Sequence, residues 1–101
     1  MSKFGSVKTK VDGITFDSKK EAARYTDLKL LLKAGEISDL ELQPTYAMIV
    51  NGRKICSYRA DFRYKENGKQ IVEDSKGFRT PVYRIKVKLM RACYGIEICE
   101  T

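Results

Sequence analysis

The chain has 101 residues, with 20 Lys plus Arg against 13 Asp plus Glu for a net charge of +7, no histidine and three cysteines. One compact domain is expected at this length, and the missing histidine excludes His-dependent serine or cysteine triads, His-ligated zinc and nucleases whose general base is an imidazole. Cys56, Cys93 and Cys99 are odd in number and form no Cys-x-x-Cys pair, so neither a disulfide framework nor a four-thiolate zinc site fits.

Residues 1–10 carry no hydrophobic period and read as a flexible basic arm ahead of a single domain over 11–101. No signal peptide or membrane span is expected: Lys3, Gly, Ser and Thr follow Met1, and the strongest apolar run, Leu28 to Leu32, contains Lys29. The expectation is therefore a cytoplasmic protein that avoids membranes and meets a polyanion.

Val11, Asp12-Gly13, Ile14 and Phe16 suggest a short extended turn. Ser18-Lys19-Lys20-Glu21 then has the form of a capping box, with Ser18 as N-cap and Glu21 at the third helical position. Ala22, Tyr25, Leu28, Leu31 and Leu32 recur at helical spacing until Gly35, which predicts an amphipathic helix over 18–34. After it the period becomes two: Leu40 and Leu42 alternate with acids, Pro44 interrupts, and Tyr46 to Val50 runs into the hairpin signal Asn51-Gly52. One long returning strand is expected, with Cys56, Tyr58, Ala60, Phe62 and Tyr64 on its apolar face and Ser57, Arg59, Asp61, Arg63 and Lys65 on the other. Asn67-Gly68 turns the chain back through a strand over 70–76. Thr80-Pro81 opens a second helix with an apolar stripe at Val82, Ile85, Leu89 and Cys93, Gly95 closes it, and a short strand over 96–99 ends the chain parallel to 70–76.

A two-residue loop at 67 and 68 pairs residues whose numbers sum to 135, so Asp61 should face Asp74. Two unit charges about 5 Å apart at an effective dielectric near 20 repel by roughly 3 kcal/mol. Something positive should offset that. Strand periodicity puts the Lys76 ammonium beside the two acids, and a hard divalent cation is the other solution, because magnesium takes one or two carboxylates with waters and phosphate oxygens. Two acids, a lysine and a basic surround are the minimal set for cutting a phosphodiester, with no imidazole required. The alternative is a cross-strand salt-bridge lattice on a solvated sheet face. Between Asp74 and Glu97 the chain has no acid but carries Lys76, Arg79, Arg84, Lys86, Lys88 and Arg91; Arg84, Lys88 and Arg91 share one helix face that would track a phosphate backbone, with Lys19 adding a contact.

Asp61, twelve intervening residues and Asp74-Ser75-Lys76, in an α-β-β-β-α-β order, resemble the PD-(D/E)XK nuclease superfamily, with Ala60 where a proline often precedes the first acid. The strings DGITFDSKKEAARY, LELQPTY, YRADFRY and VEDSKGFRTPVYRIKVKLM are similar to small phage-borne members described as endonucleases or Holliday junction resolvases. The resemblance implies an α/β fold with a restriction-endonuclease-like core, a mixed and mostly antiparallel sheet flanked by two helices. It also implies a Mg2+- or Mn2+-dependent deoxyribonuclease acting on branched or duplex DNA, in which Asp61, Asp74 and the Ser75 carbonyl hold the metal, Lys76 is the catalytic lysine and Glu21 is a further ligand or water-orienting base. A homodimer is expected for cutting two strands. The rival reading is a non-catalytic DNA-binding or interaction module on a degenerate nuclease scaffold; an RNA-binding protein would leave the two carboxylates unexplained.

Overall fold

A computed structural model describes residues 7–75 and 78–101. It is an α/β protein with two helices and a mixed, mostly antiparallel sheet. The chain divides into two compact units, the first ending at Ser38 and the second running from Asp39 to Thr101.

In the first unit, β1 (Thr9–Val11) and β2 (Ile14–Phe16) form an antiparallel hairpin, so Thr9 and Lys10, expected in the arm, belong to a strand. Asp12 and Gly13 between them have φ of +53° and +76°. Asp and Gly tolerate these left-handed angles, and their twist matches that of paired strands. Helix α1 (Lys19–Lys33) starts at Ser18, whose hydroxyl accepts the Glu21 N–H at 3.1 Å. Glu21 reaches back one residue further than a capping box requires, its Oε1 accepting the Asp17 N–H at 3.0 Å. At the other end Gly35, at φ +79°, lets the Gly35 and Glu36 N–H groups bond the Leu32 and Leu31 carbonyls. The buried stripe comprises Glu21, Ala22, Tyr25 and Leu28. Leu32, expected on it, is exposed. Phe16 stacks on Tyr25 with ring centroids 4.9 Å apart, which fixes β2 against the helix.

In the second unit, β3 (Ser38–Leu42), β6 (Phe62–Glu66), β7 (Lys69–Asp74) and β8 (Ile98–Glu100) lie side by side in that order, with β6 and β7 antiparallel and β7 and β8 parallel. A separate two-stranded ribbon, β4 (Thr45–Val50) and β5 (Arg53–Arg59), precedes β6. The expected long strand is thus two strands in two sheets. The break falls at Ala60 and Asp61, where the Ala60 N–H bonds the Pro44 carbonyl and the Gln43 N–H bonds the Asp61 carbonyl. Ladder bonds to the Gln43-Pro44 bend replace those that would have continued the strand. Consequently Tyr58 and Ala60 join Val72 in one core, while Phe62 and Tyr64 lie on the opposite face of the sheet.

Helix α2 (Pro81–Tyr94) is capped by Thr80, whose Oγ1 accepts the Tyr83 N–H at 3.1 Å, and ends at Gly95 with φ +67°. It packs on the ribbon, with only the C-terminal half of the expected stripe, Leu89 and Cys93, against the core. Val82 and Ile85 are exposed, and the buried positions are Tyr83 and Met90, with Val87, Leu89 and Cys93 partly covered. Tyr83 takes the inward place because its ring fills the core beside Tyr58 while its hydroxyl reaches a carboxylate, which neither Val82 nor Ile85 can do.

Candidate functional site

The loop at Asn67-Gly68 sets the register as expected: Glu66 pairs with Lys69, Tyr64 with Ile71 and Phe62 with Glu73. At Asp61 the ladder slips. Its N–H bonds the carbonyl of Glu73 at 3.1 Å, so Asp61 and Phe62 both oppose one residue, as in a β-bulge. Asp61 therefore does not sit squarely across from Asp74. Instead its Oδ2 accepts the Ser75 N–H at 2.7 Å and meets the peptide that leaves Asp74.

Asp74 is 1% exposed. That removes it from a solvated salt-bridge lattice, and a buried carboxylate must be hydrogen-bonded to be tolerated. Tyr58 supplies one bond, its hydroxyl donating to Asp74 Oδ2 from across the core. Burial first, then the hydrogen bond to Asp74, with a further push from the charge of Asp61, hold the Tyr58 phenol far above the usual tyrosine range. Tyr58 is thus a neutral donor to one acid and within the field of the other. Strand alternation on the apolar face placed Tyr58 in the core but gave no sign of this hydroxyl bond; the polar tip of a core tyrosine was the one signal for it.

Beside Asp74, in parallel register on β8, stands Glu100. Its Oε2 accepts the Tyr83 hydroxyl at 2.7 Å, and Arg79 pairs with its other oxygen. Burial, the bond to Glu100 and the charge of Asp74 raise the Tyr83 phenol as well, against a lowering by Arg79. The Tyr58 and Tyr83 rings lie 6.3 Å apart. Two acids on adjacent parallel strands are thus each held by a tyrosine. On the reverse face of β7, where strand alternation puts the neighbour of Asp74, Glu73 is also 1% exposed and accepts the Tyr64 hydroxyl.

Of the residues expected to act together, Asp61, Asp74 and Ser75 meet at the end of β7. Lys76 lies outside the described residues. Glu21 and Lys19 belong to the first unit, where Glu21 is buried on the Asp17 amide and Lys19 is exposed in the first turn of α1. Arg63, expected to flank Asp61, pairs with Glu41 on β3 and lies over the Tyr46 ring. Arg79, Arg84, Lys88 and Arg91 line one groove of about 390 Å³ between α2 and β8. Arg79 is paired with Glu100 and Arg91 with Glu97, while among the described residues Arg84 and Lys88 make no ion pair.

Among the described residues no three Asp, Glu, Cys or His side chains gather as a metal-holding group. The donors at Asp61, Asp74 and the Ser75 carbonyl are hard oxygens, two carboxylates and a backbone group. That set suits magnesium, which completes its shell with water, and does not suit zinc, which prefers nitrogen and sulfur.

An α/β protein with paired acids at a strand end and a cationic groove in the same unit is the class that the fold and site define. A family model described as a protein of unknown function (DUF1064) matches residues 1–98, and the chain belongs to that family. No curated protein and no solved structure matches it. Among the described residues no helix is long and apolar enough to cross a membrane.

Proposed function

We propose that the protein is a magnesium-dependent DNA endonuclease of the PD-(D/E)XK class, selective for branched DNA in the manner of a Holliday junction resolvase and acting in phage DNA recombination or processing in the host cytoplasm. The observation that carries this reading is the 2.7 Å bond from the Ser75 N–H to Asp61 Oδ2, which brings the carboxylate of one strand against the acid-bearing end of the next.

Asp61, Asp74 and the Ser75 carbonyl hold magnesium or manganese in this reading, and the ion supplies Lewis-acid activation of water and charge neutralisation at the phosphate. Tyr58 keeps the Asp74 carboxylate oriented. Lys76 stabilises or orients the nucleophile, and Glu21 is a further ligand or base. Lys19, Arg79, Arg84, Lys88 and Arg91 hold the phosphate backbone, in which Arg79 and Arg91 exchange a glutamate for a phosphate. A homodimer supplies the second site needed to cut two strands.

Asp74→Ala and Lys76→Ala are expected to abolish magnesium-dependent cleavage while DNA binding survives; Asp61→Asn, at a partly exposed position, serves if Asp74→Ala fails to fold. Unchanged cleavage by a folded variant overturns the assignment. A second reading, a non-catalytic DNA-binding module, is favoured by the burial of Asp74 at 1% exposure under the Tyr58 hydroxyl. Calorimetry separates the two: absence of magnesium or manganese binding that depends on Asp61 and Asp74, with or without DNA, selects the module.

A further inference from the structure

Among the described residues, the tip of the β4–β5 ribbon contributes none to the core cluster or to the acid pair. The root of the ribbon is fixed: Tyr46, Met48 and Tyr58 are buried against α2, and the Tyr94 hydroxyl donates to the Ala47 carbonyl at 2.7 Å. Its tip is different. Every residue from Ile49 to Ile55 is exposed, with Ile49 at 55% and Ile55 at 60%. Ile49, Val50 and Ile55 thus leave apolar side chains in solvent on either side of one turn, a surface open to a partner.

Three further observations say what that partner is. The segment from Leu42 to Ala60 has no acidic residue, while Arg53, Lys54 and Arg59 lie on it and, among the described residues, make no ion pair. The charge is therefore complementary to a polyanion. The ladder passes from Met48–Cys56 to Ile49–Lys54 and skips Ile55, a bulge that turns the Ile55 side chain out of the regular alternation. Finally, the ribbon pairs with no other described strand, so it presents two strands alone, the width that the DNA major groove admits. Two exposed residues at the end of β4 and three at the start of β5 span about 7–10 Å, comparable with the roughly 8.5 Å depth of that groove.

We infer that the β4–β5 ribbon binds duplex DNA, in which the tip enters the major groove, Arg53, Lys54 and Arg59 meet the flanking phosphates, and Ile49 and Ile55 pack on base edges or into a distorted step. This rests on the DNA-directed reading under Proposed function for its choice of partner and is independent of cleavage.

The test uses the full chain and a short labelled DNA duplex, with binding followed by fluorescence anisotropy without metal and cleavage followed separately with magnesium. Arg53→Ala with Lys54→Ala should weaken binding at least tenfold and lower the slope of log K against log salt by about two, one for each phosphate no longer neutralised. Ile49→Ser with Ile55→Ser should weaken binding several-fold with the salt slope unchanged. All four positions are exposed, and circular dichroism confirms that the variants fold. Undiminished duplex binding by both double variants overturns the inference, as does a change in light-scattering mass without a change in binding, which would make the ribbon an interface between copies. Duplex binding that follows these variants without any cleavage leaves the ribbon assignment standing and removes the nuclease.

Discussion

Tyr58 and Tyr83 are the residues through which the core of the second unit reaches the acids at its strand ends. Each places an aromatic ring among apolar neighbours and a hydroxyl on a carboxylate. Removing the Tyr58 hydroxyl keeps the ring and strips a hydrogen bond from a buried carboxyl group, so Tyr58→Phe should lower stability by about 1–3 kcal/mol in urea denaturation. A wild-type midpoint would show that the bond contributes nothing. Both phenols are raised above the ordinary tyrosine value of 10.0, so the folded protein retains protons that the unfolded chain releases. The sign follows: stability is fully present below pH 10 and falls as pH rises beyond it, because the unfolded state then binds fewer protons. Thermal melts above pH 10 should show the midpoint dropping, and less steeply in Tyr58→Phe than in the wild type. Neither bond was legible in the sequence, because alternation assigns a tyrosine to a face and says nothing of where its hydroxyl ends.

Helix α2 shows how two apolar stripes on one helix can mislead. Val82, Ile85, Leu89 and Cys93 form one, and Tyr83, Val87, Met90 and Tyr94 form another about 100° away. The period alone does not rank them; the core takes Tyr83, Val87 and Met90 from the second together with Leu89 and Cys93 from the first, while Val82, Ile85 and Tyr94 stay exposed. Met90, at 0% exposed, should cost about 2–5 kcal/mol as Met90→Ala, whereas Ile85→Lys, at 58% exposed, should shift stability by no more than about 0.5 kcal/mol. Denaturant titration of the two variants checks the orientation, and a larger loss for Ile85→Lys would reverse it. Turn chemistry was more legible. Asn51-Gly52 and Asn67-Gly68 all adopt positive φ, which few other residues tolerate, and the second turn alone fixed the β6–β7 register. Caps at Ser18 and Thr80 were readable for the same local reason. The break at Ala60 was not, because it depends on carbonyl and amide partners at Gln43 and Pro44, remote in sequence.

Across the whole chain, a net charge of +7 is distributed so that two surfaces of the second unit carry cations outside ion pairs among the described residues: Arg84 and Lys88 in the α2–β8 groove, and Arg53, Lys54 and Arg59 on the ribbon. If both surfaces engage phosphate, log K for DNA should fall linearly with log salt, with a slope of about −0.9 per neutralised phosphate on B-DNA. Arg84→Ala with Lys88→Ala should reduce that slope by about two, and an unchanged slope would remove the groove from the interface. In the same unit the Ser75 peptide that follows Asp74 is bonded to Asp61, and under the proposed function these two acids hold the metal for DNA cleavage. That proposal is tested most directly by incubating the purified wild type and Asp74→Ala with a panel of four-way junction, flap, single-stranded and linear duplex DNA, with magnesium and with chelator. The expected result is magnesium-dependent cleavage by the wild type, strongest on branched substrates, and none by a DNA-binding Asp74→Ala variant. Cleavage undiminished in that variant, or no cleavage of any substrate by the wild type, would contradict the proposal.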